Sequence, residues 1–253
     1  MKDVGTKAGE PLVVCADTAR TYGSGPNAVV AVHGVNCAVP AGARIAVVGP
    51  SGSGKSTLLH LMAALDRPTA GTVSHPGLSA DTGGVADILP ARDIGVVLQG
   101  PSLLPALTAM ENVALPLLID GLEADEAADR ASAALAGLGL EPLATKLPDE
   151  MSAGQAQRVA VARMLARRPR LILADEPTGQ LDRETARQVM AVLLSAADTL
   201  GAAVLITTHD ARVAGALDER WYMADGRVVH PGIPDRPDIH EQPEPPDRER
   251  ESR

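Results

Sequence analysis

Residues 49 to 57 read "GPSGSGKST", which matches the pattern G-x-x-x-x-G-K-[ST]. The strand-like run "ARIAVV" precedes this stretch, and the helix-like run "STLLHLMAAL" begins inside it. A strand, a glycine-rich loop and a helix in this order predict a phosphate-binding loop (P-loop). The alternative, a chance glycine-rich turn, is disfavoured because both flanking elements are in place.

The composition of this loop suits nucleotide phosphates. Its glycines let the backbone curl until successive N–H groups point at phosphate oxygens, and the helix adds the dipole of its N-terminus. We expect Lys55 to reach the β- and γ-phosphates and Ser56 to ligate Mg²⁺. The predicted nucleotide-binding residues of the loop are Gly49, Pro50, Ser51, Gly52, Ser53, Gly54, Lys55, Ser56 and Thr57.

Two adjacent carboxylates follow the apolar run in "LILADEP". Asp175 ends that run, where it can orient the water shell of Mg²⁺. Glu176 is expected to lie closer to the γ-phosphate, as the base that polarises the attacking water. An ordinary solvated strand end is the other interpretation of such a pair, and it loses weight beside a P-loop.

Two more polar residues follow strand-like runs. Gln99 is predicted to end the strand "DIGVVLQ", where its amide oxygen can coordinate Mg²⁺ and sense the γ-phosphate. His209 ends "VLITTH", and we expect its strand to lie beside the strand of Asp175. Ligands of open α/β sheets bind at the edge where such strands end. Taken singly, a glutamine is weak evidence, and a histidine at a strand end is more often structural.

The order of strand-like and helix-like runs predicts the fold class. The apolar runs "LILADE" and "AAVLITTHD" fit strands buried on both faces of a parallel sheet, with a crossover helix between them. Residues 101 to 168 have helical character and predict a helical insert in an α/β sheet. Residues 74 to 92 are broken by Gly and Pro and predict a loop or a poorly formed hairpin. The Pro-rich, charged residues 231 to 253 predict a disordered tail.

Composition excludes several classes of protein. The 253 residues include no Phe, so the core must be packed with Leu, Val, Ile and Ala. A net charge of −9 argues against a nucleic-acid surface. Cys15 and Cys37 have no metal-like spacing and predict two buried free thiols rather than a disulfide framework. No signal peptide and no apolar run near the ~18 residues of a membrane span occur, so we expect a soluble chain.

Residues 151 to 155 read "MSAGQ" and precede a helix-like run. Read alone, they favour a helix that Ser152 caps at its N-terminus. Ala153 would be a handicap only if the backbone there required a positive φ or a very close approach.

Together these elements resemble the nucleotide-binding subunit of ABC transporters, from about residue 12 to 230. They occur in the order P-loop, Gln99, "MSAGQAQR", "LILADEP", "GQLD" and His209. The stretches "LLPALTAMENVALPLL" and "ADEPTGQLD" look most like the branch of lipoprotein export, macrolide export and the cell-division ATPase. The resemblance implies one ABC ATPase domain over residues 1–230, with a P-loop NTPase (RecA-like) core and a small antiparallel β subdomain at 12–98 and 169–230. A helical subdomain at 99–168 would carry the signature loop.

The resemblance also implies a composite active site. Two subunits of this family stack head to tail, and each ATP lies between one P-loop and the partner's signature loop. Ser152 and Gly154 would then hydrogen-bond the partner's γ-phosphate, and Gln155 would line the site. Ala153 and Met151 depart from the glycine and leucine usual there.

Other roles follow from the same resemblance. Asp182 would couple the two sites at the dimer interface, and Tyr22 would stack on adenine, unless it is only a surface tyrosine. His209 would contact the γ-phosphate and the catalytic water. Gln99 and the segment after it would form a lever that meets a permease. Candidate contacts on this lever are Leu103, Leu104 and Leu107, which otherwise only pack the helical subdomain.

The implied protein is an ATPase that uses ATP and Mg²⁺ and forms a homodimer on ATP binding. It would work on a separate integral membrane permease from the cytoplasmic face of the inner or plasma membrane, without nucleic acid. One alternative is a regulatory ATPase that gates a membrane or cell-wall partner without transport. Another is a soluble ABC ATPase acting on ribosomes or DNA, a class that usually carries two cassettes or long coiled coils.

Overall fold

A computed structural model describes residues 9–78 and 92–229. The strands are β1 Val13–Tyr22, β2 Val29–Val39, β3 Arg44–Val48, β4 Ala70–Ser74, β5 Ile94–Val97, β6 Leu171–Asp175, β7 Ala203–Thr208, β8 Glu219–Ala224 and β9 Arg227–Val229. The α-helices are α1 Lys55–Met62, α2 Ala109–Ile119, α3 Ala124–Ala136, α4 Ala153–Leu165, α5 Arg183–Leu200 and α6 Ala211–Gly215.

A six-stranded sheet forms the centre of the molecule, in the order β5-β6-β7-β3-β8-β9. Its strands pair in parallel from β5 to β8, and only β9 is antiparallel. Every residue of β6 and β7 is buried, as their continuous apolar runs predict. These two strands are neighbours, which confirms the predicted pairing, although β7 ends at Thr208 and His209 is the residue after it.

A second sheet has three antiparallel strands in the order β2-β1-β4. Its buried residues share one apolar core with α1 and the central sheet, in which Trp221 is the largest fully buried side chain. Cys15 and Cys37 face each other across β1 and β2 as free thiols. Cys15 is buried as predicted, whereas Cys37 is only half-buried because it lies on the partly exposed strand β2.

Helices α2, α3 and α4 follow β5 and precede β6, where the sequence predicts a helical insert. They enclose a separate apolar cluster that includes Val113, Leu117, Leu135 and Val159. Helix α4 also packs against α5, the crossover helix between β6 and β7. The signature residues at the start of α4 are therefore fixed to the central sheet through α5.

The structure corrects two boundaries and adds one hairpin. Strand β5 ends at Val97, so Gln99 lies in a bend two residues beyond the strand that it was predicted to end. Strand β4 extends to Ser74, the first residue of the predicted loop. Residues 79–91 and the predicted tail at 231–253 lie outside the described residues.

The β8–β9 hairpin was not predicted, although its turn contains Asp225 and Gly226 with φ of 47° and 73°. An Asp-Gly pair is a strong hairpin signal.

Among the helices that the structure describes, none is long and apolar enough to cross a membrane.

Candidate active site

The P-loop connects β3 to α1, and close packing requires two of its glycines, Gly49 and Gly54. Gly54 has φ of 99°, a left-handed conformation that favours glycine. A Cβ at Gly54 would lie 2.1 Å from the carbonyl oxygen of Ala31, and one at Gly49 would lie 2.0 Å from that of Met223. The loop is therefore pressed against β2 and β8, and neither position has room for a side chain.

Two side chains of the P-loop are buried and poised for a ligand. The Lys55 ammonium donates hydrogen bonds to the carbonyl oxygens of Gly49 and Pro50, both at 2.9 Å. The Ser53 hydroxyl is buried without a hydrogen-bond partner among the described residues. Buried polar atoms are nearly always hydrogen-bonded, so this orphaned hydroxyl fits a loop that binds a polar ligand. The residues present therefore fit a nucleotide phosphate.

Thr207 of β7 holds the carboxylate of Asp175 and the backbone of Glu176 at the end of β6. The Thr207 hydroxyl donates a hydrogen bond to a carboxylate oxygen of Asp175. The same hydroxyl accepts the backbone N–H of Glu176 at 3.2 Å, and the Thr207 carbonyl accepts it at 3.1 Å. Glu176 has φ of 42°, so its backbone is held in a left-handed conformation. Thr207 was not predicted from the sequence, where its signal is a pair of threonines at the end of a buried strand.

Glu176 and His209 are brought together at the predicted edge of the sheet. His209 Nδ1 lies 2.8 Å from Glu176 Oε2, and the exposed fractions of the two side chains are 62% and 17%. A cavity of about 130 Å³ adjoins this pair, and its lining includes Thr178, Gly179 and Thr208. The geometry suits a partly desolvated carboxylate that is oriented by an accessible imidazole and can take a proton from water.

The signature residues form a capped helix, as the local sequence favours. The Ser152 hydroxyl accepts the N–H of Gln155 at 3.2 Å, and the Gln155 side chain accepts the N–H of Ser152 at 2.9 Å. This is a complete capping box. Ala153 is the first residue of α4 and does not have a positive φ. Its methyl group therefore imposes no backbone strain on the subunit.

Asp182 is likewise used inside the subunit. It is the N-cap of α5 and accepts the N–H groups of Glu184 and Thr185 at 3.0 and 3.1 Å. Its predicted place at a dimer interface stays a prediction, but its carboxylate is rigidly held.

Tyr22 ends β1, and 40% of its surface is exposed. Its hydroxyl donates a hydrogen bond to Asp66 at 2.9 Å. The Arg20 guanidinium lies 4.6 Å from the centroid of its ring.

The segment after β5 is tied to α4. Arg163 donates hydrogen bonds to the backbone oxygen and the hydroxyl of Ser102, at 3.0 and 2.9 Å. Ser102 has φ of 43°, so this pair holds a backbone conformation that few residues adopt. Partial burial lowers the pKa of Arg163. Leu103 packs against the helical cluster, whereas Leu104 is 46% exposed.

The predicted Mg²⁺ ligands are oxygen atoms from three elements. Ser56 lies in the first turn of α1, Asp175 ends β6 and Gln99 follows β5. Hydroxyl, carboxylate and amide oxygens suit Mg²⁺, which usually keeps several waters. Among the described residues there is no cluster of three or more His, Cys, Asp or Glu side chains that could hold a metal ion. A site built here would therefore depend on the bound phosphates for further ligands.

Comparison with known proteins agrees with this geometry. The "ABC transporter" family model matches residues 32–179. The lipoprotein-releasing system ATP-binding protein LolD of Nitrobacter hamburgensis is 44% identical over 223 residues, which are 87% of this chain and 95% of that protein. LolD of Geobacter metallireducens is 43% identical over 220 residues, 86% of this chain and 98% of that protein.

A solved structure has the same fold. It is the dimeric post-hydrolysis state of the ATP-binding cassette MJ0796 bound to ADP and Pi, with a TM-score of 0.77 and 38% identity. The match covers 86% of this chain and 97% of that one. These relatives confirm the P-loop NTPase fold and the predicted ATP binding. The chain therefore belongs to the ABC transporter family, as an ATP-hydrolysing subunit of a transporter.

Proposed function

We propose that this chain is the ATPase of a lipoprotein-releasing type of exporter, which dimerises on Mg-ATP and drives a separate integral membrane permease from the cytoplasmic face. The observation that carries this proposal is the extent of the likeness to the LolD proteins. Identity of 40–44% covers 86–88% of this chain and 94–98% of those proteins, well beyond the P-loop and the carboxylates of the active site.

Within one subunit, the P-loop binds the phosphates and Tyr22 stacks on adenine. Ser56, Gln99 and Asp175 hold Mg²⁺, which when bound neutralises charge on the phosphates. Lys55 lies at the start of α1 and reaches the β- and γ-phosphates when it leaves the carbonyl oxygens of Gly49 and Pro50. This exchange replaces neutral acceptors by charged ones, which form stronger hydrogen bonds.

Hydrolysis depends on the paired side chains at the ends of β6 and β7. Glu176 accepts a proton from the attacking water, and His209 orients its carboxylate across the 2.8 Å contact. Thr207 fixes the backbone of Glu176 and the side chain of Asp175 together, so the residue that carries the base is anchored beside the metal ligand.

The second half of each site comes from the partner subunit. Ser152, Gly154 and Gln155 meet the partner's γ-phosphate at the N-terminus of α4, where the helix dipole favours an anion. Asp182 lies at the interface and couples the two sites. Support comes from the exposure of Ser152 and Asp182, and from the related cassette that is dimeric with ADP and Pi.

Contact with the permease is assigned to the region between β5 and the end of α2. Large apolar side chains are exposed there, namely Leu98, Leu104, Leu118 and Ile119. Ile119 is the most exposed of them, at 75%. The Arg163–Ser102 contact links this region to α4 and hence to the signature residues.

The test is co-purification of a partner from native membranes. A C-terminally tagged Glu176→Gln subunit is extracted with mild detergent and ATP, beside a Glu184→Gln control that changes an exposed glutamate of α5. We expect a stoichiometric integral membrane protein with Glu176→Gln and less of it with the control, because the stalled dimer stays bound. Recovery of soluble partners alone would contradict the proposal and favour a soluble ABC ATPase.

A further inference from the structure

Thr185 lies at the contact between α4 and α5, directly against a signature glycine. A Cβ built on Gly154 would lie 2.2 Å from Cγ2 of Thr185 and 3.4 Å from its Cβ. Ordinary contacts of this kind are at 3.5–4.0 Å, so the γ-methyl group of Thr185 fills the space that any side chain at position 154 would need. The restriction comes from packing, since Gly154 is buried and does not have a positive φ.

The hydroxyl group of the same threonine holds Asp182. Thr185 Oγ1 donates to Asp182 Oδ2 at 2.6 Å, and the Thr185 N–H donates to Asp182 Oδ1 at 3.1 Å. The hydrogen bond from the Thr185 hydroxyl is the largest cause of the lowered pKa of Asp182. One side chain thus contacts both Gly154 and Asp182, through two different atoms.

We propose that Thr185 is a positioning residue for ATP hydrolysis. It fixes the position of Asp182 relative to the start of the signature helix α4. Its γ-methyl group restricts residue 154 to glycine, and its hydroxyl group fixes the Asp182 carboxylate. This inference rests on the proposed function, in which Gly154 and Asp182 both meet the partner subunit. A shift between them would misalign two contacts across the interface and leave the subunit's own P-loop intact.

The two parts of the threonine can be removed separately. Thr185→Ser removes the methyl group and keeps the hydroxyl, whereas Thr185→Val keeps a methyl group at the contact and removes the hydroxyl. Each is combined with Gly154→Ala, and the melting temperature, kcat and KM for ATP are measured. Thr199→Val is the matched control, because Thr199 is an exposed threonine near the other end of α5.

For the methyl group, we expect Gly154→Ala alone to lower both the melting temperature and kcat, because its Cβ overlaps Thr185. Adding Thr185→Ser should restore both quantities, and adding Thr185→Val should restore neither. If Gly154→Ala with Thr185→Ser regained its melting temperature but not its kcat, Thr185 would restrict residue 154 only for stability, and the nucleotide would restrict it for hydrolysis. If the double variant regained neither quantity, Thr185 would not restrict residue 154 at all. Both outcomes overturn this half of the proposal.

For the hydroxyl group, Thr185→Val alone should lower kcat about tenfold, because hydrogen bonds to charged groups are among the stronger ones. KM for ATP should stay the same, and the pKa of Asp182 followed by NMR should rise. A lower melting temperature with unchanged kcat would show a purely structural residue and overturn the proposal. The proposed function itself would fail differently, by an absence of ATP-dependent dimerisation in the parent chain.

Discussion

The P-loop and the signature loop bind the same ligand in our proposal, yet the structure treats them differently. Among the described residues, the P-loop has polar groups without strong partners, namely the orphaned Ser53 hydroxyl and a Lys55 ammonium that binds only neutral carbonyl oxygens. The signature loop has none at its cap, because Ser152 and Gln155 satisfy each other. The orphaned atoms of α4 among the described residues, Gln157 Nε2 and Arg158 Nε, lie further along the helix. A ligand site of one subunit is visible in its unsatisfied groups, whereas a site completed by a partner can look like an ordinary helix end.

The largest effect is expected for Lys55→Ala, because it removes the only buried cation of the P-loop. ATP binding and hydrolysis should both fall by about 100-fold or more, since charge-assisted hydrogen bonds to phosphate are lost. Titration calorimetry with Mg-ATP and a steady-state ATPase assay measure the two losses. The control is Lys146→Ala, which changes an exposed lysine paired with Glu150 and should keep both activities. Equal ATP affinity in the two variants would contradict the assignment of the P-loop.

The next effect concerns Thr207, which neither loop contains. Thr207→Val should lower kcat about tenfold, because Asp175 and Glu176 both lose a buried hydrogen-bond partner. ATP affinity should change less than kcat, since the P-loop is untouched. Parallel measurements of kcat and of ATP affinity separate the two effects. An unchanged kcat would show that Thr207 only fills space in the sheet.

A smaller effect is expected for Ser152→Ala in the signature loop. Loss of the N-cap should lower the free energy of unfolding by about 1 kcal/mol. In our account kcat also falls several-fold, while the ATP affinity of the isolated subunit stays the same because the contact is with the partner's nucleotide. Chemical denaturation, ATPase assays and binding to the monomer measure the three quantities. Weaker ATP binding by the monomer would place the signature loop in its own subunit's site.

The smallest effect is expected for Ala153→Gly. Ala153 has a helical backbone, so glycine relieves no strain and adds conformational entropy to the unfolded chain. We expect a small loss of stability and less than a twofold change in kcat, measured in the same ATPase assay. A rate at least tenfold faster, about 1.4 kcal/mol in the barrier, would show that the methyl group hinders the partner's nucleotide.

Features that depend on neighbouring residues could be predicted from the sequence, whereas contacts between distant residues could not. The P-loop and the strands β6 and β7 were predicted because neighbouring residues determine them. Thr207 and Thr185 were not, because each acts on a residue that only folding brings near: Thr207 on Asp175, which is 32 residues away, and Thr185 on Gly154. Gly154 was interpreted through the phosphate alone, although the packing of α4 on α5 already requires a glycine there.

The central claim, that the signature loop acts on the partner's nucleotide, can be tested with two inactive subunits. Lys55→Ala destroys a P-loop, and Ser152→Arg places a bulky side chain at the exposed start of α4. Each variant alone should have almost no ATPase activity. If the loops act across the interface, a mixture forms dimers with one intact site, and hydrolysis should rise well above that of either variant alone. If the mixture remains as inactive as its components, each site is built within one subunit and the account is contradicted.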